Sequence, residues 1–205
     1  MNRTELAGDL QAALERACPG SSADLRGSLA TGTADEYSDI DLLWAVPDVE
    51  FARCAGSVAG ILGTVAPVAS LRSDPDFGRS SRRRLLFVRF AGLPLFWRLD
   101  LDIRAQSQVR NEDPDPAGQG GEWSLPESAA MNAIAAVKAI RRNKPETADD
   151  LLTRGYERIA AVDPGGAVAD RIRALAAVAA ELQPDLEDLV VEIDALVDAR
   201  LAYVL

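Results

Sequence analysis

The chain has 205 residues, of which 48% are apolar, and its formal net charge is −10. This balance argues against a nucleic-acid partner, because a protein that grips a phosphate backbone needs clustered positive charge. The sequence contains no histidine, which excludes a Ser-His-Asp triad and a histidine-ligated zinc site. Carboxylates must therefore carry any proton transfer, and the length allows one domain or two small ones.

Neither a secretion signal nor a membrane span is predicted. The N-terminus lacks the apolar run of a signal peptide, and no apolar stretch is long enough to cross a bilayer. We therefore expect a cytoplasmic protein with no membrane partner. Cys18 and Cys54 lie in helical contexts without the spacing of metal ligands, so we expect both to be buried free thiols.

The first third of the chain predicts helix, strand, helical turn and strand. Apolar residues at helical spacing predict a helix over residues 4–17, which the Pro19-Gly20 pair ends. A short strand is predicted over 23–26. Gly27 and Ser28 end this strand before a helical turn at 29–33. We expect the first helix to pack on the sheet.

Two carboxylates, Asp39 and Asp41, stand on either side of one apolar residue, Ile40. On a β-strand both would project from the same face, roughly 6.6 Å apart along the strand. Like charges repel by about 4 kcal/mol at 4 Å if the effective dielectric constant is near 20. Cations relieve that repulsion, and Mg²⁺ usually binds through one or two carboxylates together with substrate phosphates. The pair therefore suggests a metal and phosphate site.

The Gly27-Ser28 pair supplies groups that suit the phosphate half of such a site. Glycine allows close approach of the backbone, and the start of a helical turn presents free N–H groups to an anion. Ser28 adds a hydroxyl group. We expect these residues to hold the outer phosphates of a nucleotide.

A helix over 49–62, a short strand over 67–71 and a β-hairpin follow. The hairpin strands, 84–90 and 95–104, flank a turn at 91–94. Alternation in the second strand places Asp100 and Asp102 on one face with Arg98 and Arg104. Either carboxylate could complete the metal site, and the two arginines could contact phosphate or neutralise the carboxylates. These elements predict a small mixed β-sheet with helices on one side, an α/β (α+β) fold.

Residues 73–84 form a basic loop with two interpretations. Its arginines could meet a triphosphate, since guanidinium groups suit phosphate oxygens. The loop could equally be solvated and balance an acidic protein. We favour the solvated loop, because charge runs usually face water.

The stretch 106–126 is rich in proline, glycine and polar residues and indicates a domain boundary. We predict a catalytic domain over 1–110, a linker over 111–126 and a helical domain over 127–205. Trp123 could anchor the linker to one domain or line a pocket, and we favour anchoring. Apolar spacing beyond it predicts helices over 127–143, 147–161, 168–182 and 186–201, which suit an antiparallel bundle.

The motif GS at 27–28, Gly32 and SDIDL at 38–42 resembles the signature of the nucleotidyltransferase superfamily, which includes DNA polymerase beta and the aminoglycoside-type and antitoxin-type enzymes. The resemblance implies a third carboxylate on a later strand, between apolar neighbours and often two positions after an arginine. Asp100 fits that description best, and Asp102 is the second choice.

The resemblance further implies two Mg²⁺ ions held by Asp39, Asp41 and Asp100, with Ser38 joining Gly27 and Ser28 in nucleotide binding. The implied reaction moves a nucleoside monophosphate from a nucleoside triphosphate, ATP above all, to a hydroxyl group of a small molecule (an EC 2.7.7-type activity). A carboxylate of the helical domain acts as general base in the related antibiotic-modifying enzymes. Glu127 could take that role, although its place at a helix N-terminus is explained as well by the helix dipole.

Two other functions stay open. The chain could transfer a nucleotide onto a protein, as antitoxin-type relatives do, although those relatives commonly have an arginine where Thr31 stands. It could also be a nucleotide-binding scaffold without catalytic activity. The presence of all the expected carboxylates places the scaffold last.

Overall fold

A computed structural model describes residues 1–110, 118–121 and 123–201, the side chain of Arg110 excepted. The chain divides into two compact units, Met1–Trp123 and Ser124–Leu205. Across the described residues, no helix is both long enough and apolar enough to cross a bilayer. Half of the predicted linker at 111–126, residues 111–117 and 122, lies outside the described residues.

The first unit is built on a five-stranded mixed sheet with the strand order β1-β2-β5-β4-β3. Neighbouring strands are antiparallel except β2 and β5, which run parallel. The strands are β1 Ser22–Leu25, β2 Ile40–Val46, β3 Val68–Ser73, β4 Arg83–Phe90 and β5 Leu99–Ala105. Because β2 and β5 are parallel neighbours, the residues at their first positions meet at the same edge of the sheet.

Helices α1 (Arg3–Ala17) and α3 (Phe51–Gly63) pack against one face of this sheet. Asn2 and Glu5 form a capping box at the start of α1, which satisfies two backbone N–H groups of its first turn. Alternate strand residues such as Trp44 and Leu101 enter the core beneath these helices. The intervening residues project from the other face. Two of the predicted site carboxylates are among them, Asp41 on β2 and Asp100 on β5.

The free thiols are where the sequence predicts them. Cys18, the residue after α1, and Cys54 in α3 are both buried and unbridged. Burial raises the pKa of the Cys54 thiol to about 12, and the neighbouring Cys18 adds to that effect. At neutral pH Cys54 is therefore a protonated core side chain.

The predicted second hairpin strand begins too early. Leu95–Trp97 is a 3₁₀ turn, and β5 starts only at Leu99. Pro94 precedes this turn and supplies the fixed φ angle that suits it. Phe96 consequently lies buried within the turn and does not share a strand face with Asp100.

Two further short helices complete the first unit, α2 (Gly27–Thr31) and α4 (Gln106–Arg110). The sequence predicts the first of these as a helical turn but assigns the second to the domain boundary. In the second unit, α5 packs against all three of its companions. These helices are α5 Leu125–Arg141, α6 Pro145–Arg158, α7 Val168–Leu182 and α8 Glu187–Leu201.

Helix α5 begins inside the predicted linker, because Ser124 caps it by accepting a hydrogen bond from the backbone N–H of Glu127 at 3.0 Å. Pro126 at the start of the helix costs no hydrogen bond, since the first N–H groups of a helix have no intrahelical acceptor. The predicted fold class, a mixed sheet with helices followed by a helical part, is confirmed.

Candidate active site

The pairing of β2 with β5 places two motif carboxylates side by side. Asp41 and Asp100 are directly opposite each other in the parallel register. The backbone N–H of Ile40 donates to the carbonyl of Arg98 at 2.9 Å, which fixes the two strand starts relative to each other. Asp39 comes immediately before β2, so the three candidate metal ligands lie at one edge of the sheet.

The guanidinium group of Arg98 joins two of these carboxylates. Its Nε donates to Asp100 Oδ1 at 2.7 Å and its Nη2 to Asp100 Oδ2 at 2.9 Å. The same Nη2 donates to Asp39 Oδ2 at 3.3 Å. One arginine thus balances part of the charge of a three-carboxylate cluster.

Asp100 is a buried acid, with its side chain 20% exposed. Burial raises its pKa to about 6, Arg98 opposes that shift, and the charges of Asp39 and Asp41 add to it. A carboxyl group with a pKa near 6 can exchange a proton with substrate close to neutral pH.

The backbone position next to Asp41 requires a glycine, and Gly27 occupies it. Its φ angle is +57°, which favours glycine, and a Cβ added there would collide with the Asp41 carboxylate. The backbone N–H of Arg26 donates to the Asp41 carbonyl at 2.8 Å. The strand-to-turn segment is therefore held against Asp41, and Ser28 follows at the start of α2.

Ser38 organises the turn that leads to Asp39. It is 2% exposed, and its hydroxyl group donates to Asp35 Oδ1 at 2.9 Å while accepting from the Asp35 backbone N–H at 3.1 Å. Its carbonyl oxygen accepts from Arg3 at 2.7 Å. In this structure Ser38 shapes the approach to the first carboxylate; contact with a nucleotide stays a prediction.

An aromatic pair ties together the segments that precede β2 and β5. Tyr37 and Phe96 meet edge to face with ring centroids 5.4 Å apart, and both are buried. Such pairs stabilise by about 1 kcal/mol beyond their area burial. The sequence offers no motif for this contact, because the two residues become neighbours only through the parallel pairing of β2 and β5.

Asp102 lies in a different environment from Asp100. Both oxygens of its carboxylate accept from Arg83, at 3.0 and 3.1 Å, and Oδ2 also accepts from Arg104 Nε at 2.8 Å. Its strand partner is Leu43, two positions beyond Asp41. The contacts of Asp102 therefore favour a structural ion pair, and those of Asp100 favour the third position of the cluster.

The basic loop predicted at 73–84 also contributes to that ion pair. Arg83, at its end, stacks over the Phe77 ring with its Cζ 4.0 Å from the centroid. Arg84 donates to the carbonyl of Ser80 at 3.3 Å. These two arginines hold the loop and β4 in place, which agrees with a loop that balances charge.

A row of side chains crosses the sheet on the carboxylate face. Phe87 is opposite Asp100, and Arg72 is opposite Phe87. Trp123 packs edge to face on Phe87, with centroids 5.8 Å apart, and Arg72 stacks on the Trp123 ring at 4.8 Å. The predicted anchoring of Trp123 is seen here, whereas its partners become neighbours only through strand order.

The donor chemistry of the cluster fits a divalent cation such as Mg²⁺. Asp39, Asp41 and Asp100 offer only carboxylate oxygens, which hard cations prefer. In the described part of the chain, however, no group of three or more such side chains is already arranged as a metal cage. Arg98 is bonded to both Asp39 and Asp100, so this arginine would compete with a bound cation for the oxygens of both carboxylates.

Glu127, the candidate general base of the helical domain, belongs to the second unit. It is 5% exposed and lies in the first turn of α5, which Ser124 caps. A carboxylate in that turn interacts favourably with the helix dipole. A catalytic role for Glu127 stays a prediction.

No protein-family model and no curated protein sequence matches this chain. Several solved structures match. An aminoglycoside 6-adenyltransferase from Bacillus subtilis shares 12% identity and a TM-score of 0.38, over 96% of this chain and 98% of that one. The polymerase core of TRAMP, an RNA surveillance complex, has the same identity and TM-score, over 96% of this chain and 56% of that one.

A cytoplasmic RNA terminal U-transferase matches with 17% identity and a TM-score of 0.36 over 67% of this chain. This chain spans only 38% of the length of that structure. The names of these proteins agree with the superfamily whose signature the motif resembles. TM-scores below 0.5, however, do not indicate a shared activity or substrate. Function must therefore be inferred from the geometry of the site.

Proposed function

We propose that this chain is a metal-dependent nucleotidyltransferase, which moves a nucleoside monophosphate from a nucleoside triphosphate to a hydroxyl group and releases pyrophosphate. One observation carries the proposal: Asp41 and Asp100 are register partners on parallel strands, with Asp39 joined to Asp100 through Arg98. Three carboxylates are gathered there, and such a set of oxygen donors suits a divalent cation.

Asp39 and Asp41 would hold two Mg²⁺ ions, and Asp100 would hold the one nearer the acceptor. When bound, a pair of such ions stabilises the entering and leaving oxygens of an in-line displacement at phosphorus. Gly27 and Ser28 bind the outer phosphates and thereby position the α-phosphorus, because Gly27 brings the backbone against Asp41. Asp100, as the carboxylate nearest the acceptor, would accept the proton of the acceptor hydroxyl.

ATP is the proposed donor, and a small hydroxyl-bearing molecule the proposed acceptor. The predicted exclusion of nucleic acid is not part of the proposal, since it rests on the net charge alone and a local basic patch could still bind a phosphate backbone. The choice of acceptor is open to direct measurement. Transfer to a protein and binding without catalysis are the two rival outcomes.

The test is a labelling reaction with each α-³²P-labelled nucleoside triphosphate, Mg²⁺ and a cell extract that is afterwards separated into small molecules, RNA and protein. We expect label in the small-molecule fraction with the wild-type chain and none with Asp41→Asn. Asp9→Asn is the matched control, because Asp9 is an exposed acid on α1, outside the site. Label in RNA or in a protein band would show that RNA or a protein, and not a small molecule, is the acceptor. Mg²⁺-independent binding of nucleotide without any labelled product would favour the scaffold.

A further inference from the structure

A cavity lies on the other side of the sheet from the carboxylate cluster. It has a volume of about 400 Å³ and is bounded by α3, β3 and the start of β4. Leu86 lines it, and Leu86 is paired with Leu101, whose side chain enters the core beneath the helices. The cavity is therefore separated from Asp100 by the thickness of the sheet.

The floor and one wall of this cavity are apolar. Leu71 and Leu86 come from the strands, and Phe51 and Ala55 come from α3. Gly56, on the same helix, also lines the cavity, and a Cβ added there would meet no atom within 4 Å. Small residues on a helix allow close packing against a neighbouring element, but the space beside Gly56 is open.

The opposite end of the cavity is polar and cationic. Arg84 and Ser73 line it together with Ser80 and Ser81, and none of the described lining residues is acidic. The Ser73 hydroxyl is buried and, among the described residues, has no hydrogen-bond partner. Burial lowers the pKa of Arg84, as expected for a cation that has lost water without gaining a carboxylate.

We infer that this cavity binds a small carboxylate with an apolar body, whose head group pairs with Arg84 and Ser73 and whose tail covers Gly56 and Leu86. Its volume lies in the range of small-molecule sites, which combine an apolar lining with a few polar groups that orient the ligand. A carboxylate satisfies both the desolvated guanidinium group and the buried hydroxyl group. The site is independent of the proposed nucleotide site on the other face.

Octanoate is the probe, and octanol is its uncharged counterpart of equal chain length. Binding to the full chain is measured by titration followed in ¹H–¹⁵N correlation NMR spectra, which also show where the ligand lies. We expect saturable shifts at the amides of Gly56 and Ser73 with octanoate, and weaker binding of octanol by about tenfold, because octanol cannot form the charged hydrogen bond.

Two substitutions separate the apolar wall from the cationic end. Gly56→Leu fills the cavity and should weaken both probes by at least about tenfold. Its control is Gly60→Leu on the same helix, where an added Cβ also meets nothing within 4 Å and which is not among the residues that line this cavity. Arg84→Met should weaken octanoate by about tenfold and leave octanol unchanged, with Arg82→Met as the control.

Binding of octanoate that Gly56→Leu and Arg84→Met reduce, and that both controls leave intact, supports the site. The inference is overturned if octanoate produces no saturable shift, if the shifts map away from Gly56 and Ser73, or if the control variants lose as much affinity. Thermal unfolding of each variant shows whether it is folded. If Gly56→Leu fails to fold, it is replaced by Ala55→Leu, which narrows the same wall; if Arg84→Met fails to fold, it is replaced by Arg84→Gln.

Discussion

Two carboxylate sites lie on the same sheet face, only two residues apart along β5, and they differ in how many carboxylates they bring together. At the first, Arg98 binds both Asp100 and Asp39, and Asp41 is the register partner of Asp100. At the second, the single carboxylate of Asp102 is bound by two guanidinium groups, those of Arg83 and Arg104. The first site gathers the oxygen donors that a divalent cation takes, whereas the second is an ion pair between one acid and two bases. The number of carboxylates gathered, more than the presence of an Asp-x-Asp pattern, separates a candidate metal site from a structural ion pair.

The largest effect is expected from Asp41→Asn, which removes one negative charge from the first cluster. Nucleotide transfer should fall by about 1000-fold, because the site loses a proposed metal ligand. The fold should persist, since Asp41 is one of the residues that project away from the core. Both the rate at which the labelled product forms and the midpoint of urea unfolding are measured. Full activity in this variant would remove Asp41 from the mechanism.

Asp100→Asn and Asp102→Asn form a matched pair on one strand face. Asp100→Asn should lower kcat/KM by about 100-fold or more, because it removes a proposed proton acceptor and metal ligand. Asp102→Asn should leave kcat/KM nearly unchanged and lower the free energy of unfolding by about 2 kcal/mol, since it leaves Arg83 and Arg104 without their shared carboxylate. The reverse pattern would make Asp102 the third carboxylate.

The raised pKa of Asp100, about 6, predicts how stability depends on pH in the absence of metal. Between the ordinary Asp pKa and about 6, the folded chain binds more protons than the unfolded chain, so the contribution of Asp100 to stability is lost as pH rises. The loss is on the order of 3 kcal/mol. Asp100→Asn should flatten this slope in urea unfolding with a chelator present, whereas an unchanged slope would show that Asp100 titrates normally.

The smallest effect is expected at an ion pair of the helical unit. Arg171 Nε donates to Asp163 Oδ1 at 2.9 Å and lowers the Asp163 pKa. That stability is present above the unfolded pKa and is lost as pH falls through the folded one. Asp163→Asn should cost about 1 kcal/mol at neutral pH and little in acid, with nucleotide transfer unchanged. A loss of nucleotide transfer in Asp163→Asn would contradict this prediction and would show that the helical unit contributes to activity.

Local sequence signals predicted much of the fold. Period-two alternation found the part of β5 that carries Asp100 and Asp102, and helical spacing found α5 to α8 within a few residues. The 3₁₀ turn at Leu95–Trp97 was not predicted, because its apolar residues continue the same alternation and only Pro94 marks the change. Helix α4 was hidden by the polar composition after β5.

Contacts that depend on strand order could not be read from the sequence. The motif indicated Asp39 and Asp41, alternation placed Asp100 and Asp102 on one face, and the family resemblance favoured Asp100. Only the parallel register of β2 and β5 shows that Asp100 is opposite Asp41. The binding of Asp102 by Arg83 likewise depends on the antiparallel pairing of β4 with β5.

The most direct test of the carboxylate cluster is calorimetric titration of the chain with a non-hydrolysable ATP analogue, with and without Mg²⁺. We expect tight binding only when Mg²⁺ is present, loss of that binding in Asp41→Asn and Asp100→Asn, and wild-type binding in Asp102→Asn and Asp9→Asn. Equal binding with and without Mg²⁺, unaffected by Asp41→Asn, would contradict the assignment of Asp39, Asp41 and Asp100 to a metal and phosphate site.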